Sequence, residues 1–244
     1  MNPTPQKTIV IALPALNEAA VLGDAVVKVR RAASALAGYA TTVVIADNGS
    51  DDGTERIGRE LAAANSDVRY LRLNRRGKGR AIRASWEKYP ADIAVFMDAD
   101  LSTDLAALPS LIAAIDDGAD VAVGSRRHPD SRVLRTPMRR LTSWGYLAAL
   151  RLFIGTKVAD MPCGFKAVTA RVVREVLPAV RDQGWFFDSE LVLRAERRGF
   201  TIREVPVDWR DDRDRPRKSK VAVFRLGREY LRKVFELRRD LSKK

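Results

Sequence analysis

Residues 95–104 read VFMDADLSTD: an apolar Val95-Phe96-Met97, then Asp98 and Asp100, with Ser102, Thr103 and Asp104 close behind. Together with Ile93 and Ala94 the apolar part makes a run suited to a strand buried on both faces. Two carboxylates spaced two apart lie on one side of an extended chain and repel each other unless a cation sits between them. The same residues also read as a strand-to-helix turn with Asp or Ser as its cap. The rest of the chain has to separate these readings.

The pattern of short apolar run, polar segment and helix recurs on both sides of this stretch. Strands are predicted at Thr8–Leu13, Thr41–Ala46, Val68–Leu73, Ile93–Met97 and Val121–Val123. Helices are predicted at Asn17–Leu36, Thr54–Ala64, Gly79–Lys88 and Leu105–Asp116. Such alternation predicts an α/β chain with a mostly parallel central sheet and helices on both faces. Ligands of such sheets bind beyond the carboxyl ends of the strands. PALNE, DNGSDDGT, NRRGKGR and DADLSTD, each at the end of a predicted strand, are therefore expected on one edge. The second half is less regular. It predicts helices at Arg139–Ile154, Arg171–Val176 and Ser189–Arg198, a strand at Ile202–Trp209 and a loop at Asp211–Lys220. A basic amphipathic helix at Val223–Leu241 closes the chain. Two units are expected, residues 1–221 and the helical 222–244.

Composition narrows the function classes. The 244 residues carry a formal net charge of +13, with 46% hydrophobic residues. From Arg210 to Lys244 there are fourteen Lys or Arg against six Asp or Glu. Such a balance points to nucleic acid, anionic lipid or a phosphorylated substrate. No recognition helix, zinc spacing or interleaved aromatics accompany it, so no nucleic acid is expected as a partner. One cysteine, Cys163, excludes an internal disulfide. No signal peptide and no apolar run of 18 residues stand out, so the expected location is cytoplasmic, held peripherally at the inner face of the membrane.

Five segments in order carry a resemblance. They are PALNEA (Pro14–Ala19), ADNGSDDGT (Ala46–Thr54), GKGRAIRAS (Gly77–Ser85), MDADLSTD (Met97–Asp104) and Gly124-Ser125-Arg126. DMPCGFKAV (Asp160–Val168), FFDSELVLRA (Phe186–Ala195), and EVPVDW (Glu204–Trp209) followed by Ser219-Lys220 come after them. The set resembles the family 2 glycosyltransferases of the GT-A fold, above all those that use polyprenyl or dolichyl phosphate. The resemblance covers about residues 8 to 221. It departs at Leu16, where the family has an aromatic, and at Asn48, where it has a second Asp.

The resemblance implies transfer of a hexose from a UDP- or GDP-hexose to a polyprenyl monophosphate, with inversion. The late segments lean towards glucose over mannose. It implies Mg²⁺ or Mn²⁺ on Asp98 and Asp100, with Asp188 and Glu190 as further catalytic residues. Donor contacts are implied for Pro14, Leu16, Asn17, Glu18, Asp47, Lys78, Asp98, Arg126 and Lys220. Arg139 and Arg140 would guide the acceptor phosphate, and an anionic membrane surface would be a partner. Other readings stay open at this stage: a helix cap for Asp188, a turn for Asp47, a solvated surface for Arg126, a solvated helix end for Arg139 and Arg140. Other acceptors, a nucleotidyltransferase and a non-catalytic nucleotide-sugar binder are the rival functions. A phosphate monoester with its second pKa near about 6 is largely a dianion at neutral pH. It needs no strong general base, so His128, the sole histidine, need not take part.

Overall fold

A computed structural model describes residues 6–134, 137–210 and 220–242, without the side chains of 137–142 and 220–228. The elements run β1 (Lys7–Ala15), α1 (Leu22–Ser34), β2 (Tyr39–Asp47), α2 (Thr54–Ala64), β3 (Val68–Arg72) and α3 (Lys78–Lys88). Next come β4 (Ile93–Met97), α4 (Leu108–Asp116), β5 (Val121–Ser125), β6 (Val133–Leu134) and α5 (Pro137–Ile154). The chain closes with β7 (Phe165–Thr169), α6 (Ala170–Glu175), α7 (Phe187–Arg197), β8 (Ile202–Pro206), β9 (Trp209–Arg210) and α8 (Lys220–Leu241).

Seven strands form the central sheet in the order β3-β2-β1-β4-β7-β5-β8. All pairings are parallel except those of β7, which is antiparallel to both β4 and β5. Successive strand side chains point to opposite faces, and the core divides accordingly. Ile9, Ile11 and Val95 pack under α1 and α4 through Val26, Val29, Leu111 and Ile112. Val10, Ala12 and Phe96 face α3 and α7 through Ile82, Trp86, Phe187 and Leu191. This is the predicted mostly parallel sheet covered on both faces.

Several boundaries differ from the sequence reading. The first helix begins at Leu22 rather than Asn17, because Asn17 takes a positive φ of 57° and the Glu18 carbonyl turns back to accept the Val21 and Leu22 amides. The predicted strand Ile202–Trp209 breaks after Pro206 into β8 and β9. β7 is absent from the sequence reading because a lysine, Lys166, is its second residue and interrupts the apolar run. That lysine is fully buried, and its Nζ donates to the Cys163 carbonyl. The predicted loop lies outside the described residues apart from Lys220.

The closing helix is seated on the domain in its described part. Val234 and Leu237 are buried in the core, where the helix packs against α5 and α7. Tyr230 stacks near Tyr146 and Phe186, with centroids 5.3 and 5.8 Å apart. Lys233 pairs with Asp182 at 2.6 Å and Asp240 with Arg194 at 2.6 Å.

Candidate active site

The carboxyl ends of β1, β2 and β4 bring three of the predicted segments, and the start of α3, to one edge. Ala15 ends β1 in register with Asp47 at the end of β2. The Asn17 amide donates to Ser50 Oγ (3.0 Å), the Asp51 amide to Asn17 Oδ1 (3.0 Å) and the Glu18 amide to Thr54 Oγ1 (2.9 Å). Asn48, where the family has Asp, accepts the Gly77 amide at 2.7 Å and so ties the β2 end to the GKG segment. Pro14 and Leu16 are half-buried at the end of β1, and Asn17 is exposed.

Asp98 and Asp100 leave β4 on this edge. The cation beside the first of them is Lys78, whose buried Nζ lies 2.8 Å from Asp98 Oδ1 and 2.8 Å from Asp188 Oδ2. Burial pulls this ammonium towards neutrality, but the charges of Asp188 and Asp98 outweigh it and raise its pKa. Phe96 lies under it, 5.3 Å from ring centroid to Nζ, and the Trp185 ring lies 5.2 Å away. Lys166 reaches the same Phe96 ring at 5.2 Å, and burial depresses its pKa. Asp188 Oδ1 is buried with no hydrogen-bond partner. The backbone is equally constrained: the Asp98 amide donates to the Gly164 carbonyl at 3.0 Å. A Cβ on Gly164 would stand 2.0 Å from Asp98 Oδ2. Asp100 is exposed, its Oδ1 accepting the Ser102 amide (3.1 Å) and hydroxyl (2.9 Å).

Other predicted site residues are engaged elsewhere. Arg126 forks onto Asp160 through Nε and Nη2, both at 2.7 Å, and its amide donates to the same carboxylate at 2.8 Å. Burial lowers the guanidinium's pKa, but the bonded Asp160 outweighs it and holds the charge firmly in place. Glu190 accepts the Arg181 and Asp182 amides (3.0 and 2.7 Å) and Arg194 Nε (2.7 Å). It braces the loop before α7, with no contact to Asp98 or Lys78 among the described residues. Asp47 is fully buried and accepts Tyr70 Oη (2.6 Å), Arg72 Nη1 (2.8 Å) and the Ser50 amide (2.8 Å). Burial alone would raise its pKa; the Tyr70 and Ser50 hydrogen bonds and the Arg72 charge bring it below the usual carboxylate range. The side chains of Arg139, Arg140 and Lys220 lie outside the described residues.

The donor set suits a hard divalent cation, since Asp98 and Asp100 offer carboxylate oxygens only. No group of three or more His, Cys, Asp or Glu able to hold a metal occurs among the described residues. Two protein ligands leave the remaining positions to phosphate oxygens and water. Lys166, Gly164, Asp160 and Trp185 belong to this region and were not singled out from the sequence. The signal for three of them was their place inside the late matching segments; Trp185 stands directly before the second of these, in QGWFFDSE.

The sequence profile of glycosyl transferase family 2 matches residues 10–177. The glycosyltransferase AglD of Haloferax volcanii is 35% identical over 93% of this chain, which spans only 37% of that protein. The polyprenol monophosphomannose synthase of Mycolicibacterium smegmatis is 33% identical over 86% of this chain and 79% of its own length. Among solved structures, glucosyl-3-phosphoglycerate synthase of Mycobacterium tuberculosis, in complex with Mn²⁺, UDP-glucose and phosphoglyceric acid, superposes with a TM-score of 0.70. The match is 23% identical and covers 93% of this chain and 79% of that one.

Proposed function

The chain belongs to glycosyl transferase family 2, and from that premise we propose that it transfers a hexose, glucose before mannose, from a nucleotide-sugar to a polyprenyl monophosphate. The D-x-D turn at the end of β4 carries this reading. One of its carboxylates is drawn to a buried ammonium, and the other is open to solvent. The relative from Mycolicibacterium smegmatis, named for a polyprenol product, supports the lipid acceptor and argues for mannose as the alternative sugar. The CGFK and FDSEL segments favour glucose.

Asp98 and Asp100 would hold Mg²⁺ or Mn²⁺, which when bound offsets the negative charge growing on the departing nucleoside diphosphate. Lys78 adds a fixed positive charge beside Asp98, buried where it acts in a low dielectric. The acceptor phosphate, already a dianion, attacks the anomeric carbon from the face opposite the leaving group. No proton has to be removed in this step. Glu190 is therefore not required as a base, which fits its place as a brace for the loop at 181–182. Arg139 and Arg140, at the start of α5, would draw the acceptor phosphate in. No helix among the described residues is long and apolar enough to cross a membrane. The basic C-terminal segment and the exposed Trp144, Leu152 and Phe235 would hold the chain at an anionic surface on the cytoplasmic side.

The test is a screen of UDP- and GDP-hexoses against a polyprenyl phosphate acceptor, with the lipid product identified by mass. A glycosylated lipid phosphate is expected with wild type plus Mg²⁺ or Mn²⁺, and none with Asp100→Ala, which should stay folded because it removes one of two repelling charges. Transfer only to a sugar or small-molecule acceptor, or full turnover by Asp100→Ala, would overturn the reading.

A further inference from the structure

Trp185 is a large apolar side chain left 61% exposed, and it stands on a rigid base. The Gly184 and Gln183 carbonyls accept the Gly79 and Arg80 amides (both 3.1 Å), capping the first turn of α3 directly after Lys78. Gly77 lies so close that a Cβ there would meet the Gln183 carbonyl oxygen at 2.2 Å. The Gly184 amide donates to Asp182 Oδ1 at 2.7 Å. On the other side Phe186 and Phe187 are buried. The backbone that carries the indole is thus fixed on both sides while the ring's own surface stays in water, with its centroid 5.2 Å from Lys78 Nζ. Exposed aromatic surface held this firmly beside charged groups is what a partly apolar, partly polar ligand requires.

We propose that Trp185 is the platform on which the hexose of the donor rests. The inference stands on the proposed transfer reaction and names the part of the substrate this side chain reads. A pyranose has a flat C–H face and a rim of hydroxyls; the indole meets the face, and Lys78, with two of its three N–H donors on Asp98 and Asp188, offers the third to the rim. The hexose is the donor moiety attached to the phosphate farthest from the nucleoside, and Asp98, where the pyrophosphate would be held, is bonded to the same Lys78. The nucleoside lies towards the ends of β1 and β2. The lipid chain has to remain in the bilayer.

Isothermal titration with Mn²⁺ present would measure the affinity of wild type, Trp185→Ala and Trp185→Phe for the nucleotide-hexose and for the bare nucleoside diphosphate. Trp185→Ala should weaken the nucleotide-hexose about tenfold and leave the nucleoside diphosphate unchanged, with Trp185→Phe within about threefold of wild type. Equal weakening of both ligands would mean that Trp185 acts only by placing Lys78, and would overturn the proposal. So would an unchanged nucleotide-hexose affinity, or a loss confined to the KM of the lipid acceptor. A wild-type chain that binds neither ligand would instead overturn the transfer reaction, and this role with it.

Discussion

Gly164 and Asp98 touch across the sheet, and that contact makes a sharp residue-scale prediction. A methyl group at 164 cannot coexist with the Asp98 carboxylate, which would stand 2.0 Å from it. The carboxylate is a side-chain end, 38% exposed, so it can swing away while the backbone stays. Gly164→Ala should therefore lower kcat/KM at least about tenfold, a shift near 1.4 kcal/mol, with Tm nearly unchanged. Steady-state kinetics beside a thermal melt checks this. Arg126→Ala should behave in the opposite way. It takes the guanidinium away from Asp160, which is 1% exposed and keeps the amide of residue 126, and breaking a buried pair costs about 3–5 kcal/mol. At about 2–4 °C per kcal/mol for a chain of this size, Tm should fall by roughly 10 °C. A mutant melting with wild type would return Arg126 to the role of a phosphate ligand. The sequence made Asp98 and Asp100 visible through their spacing and Lys78 through the GKG segment that carries the resemblance. The Arg126–Asp160 pairing, 34 residues apart, leaves no local trace, and neither does the demand of Gly164.

At the scale of elements, the first half of the sheet was legible and the inserted strand was not. β1 to β4 are apolar runs followed by polar turns, which local pattern reports faithfully. β7 hides a buried lysine at its second residue, so its polarity argues against the position it occupies. The closing helix was legible as amphipathic, but amphipathicity does not say what covers the apolar stripe. Part of the answer is the domain itself, through Val234 and Leu237. Leu237→Ala should then destabilise the chain by about 2–5 kcal/mol, measured by urea denaturation. Denaturation unchanged from wild type would detach the helix from the core. It follows that deletion from Val223 tests the fold and the membrane together; substitutions of exposed residues such as Leu152, 77% exposed, separate them.

For the whole molecule, the charge arrangement at the strand ends makes ligand binding conditional. Asp98 is already compensated by Lys78, so a divalent ion alone gains little there, whereas an ion brought with a pyrophosphate gains its oxygens as well. A nucleoside diphosphate with Mn²⁺ at about a hundred times its Kd should raise stability by about 2.7 kcal/mol, or roughly 5–10 °C in Tm. Either one alone should raise it far less. Equal shifts with and without the metal would separate nucleotide binding from Asp98 and Asp100. The mostly parallel α/β layering was recoverable from the alternation of elements and the GT-A fold from the motif resemblance, whereas the joining of Lys78 to Asp188, 110 residues away, belongs only to the folded chain.

The antiparallel strand β7 also sets when β4 stops being an edge during synthesis of the chain. The first four strands of the chain can pair as β3-β2-β1-β4 once residue 97 has left the ribosome. β4 is then an edge, with a row of open amides and carbonyls, until residues 165–169 arrive to cover it. The Asp98 amide waits for Gly164 over the same interval. Nascent chains of intermediate length therefore carry the carboxylate pair on an unfinished border. Chaperones that shield such borders have their window between those two points.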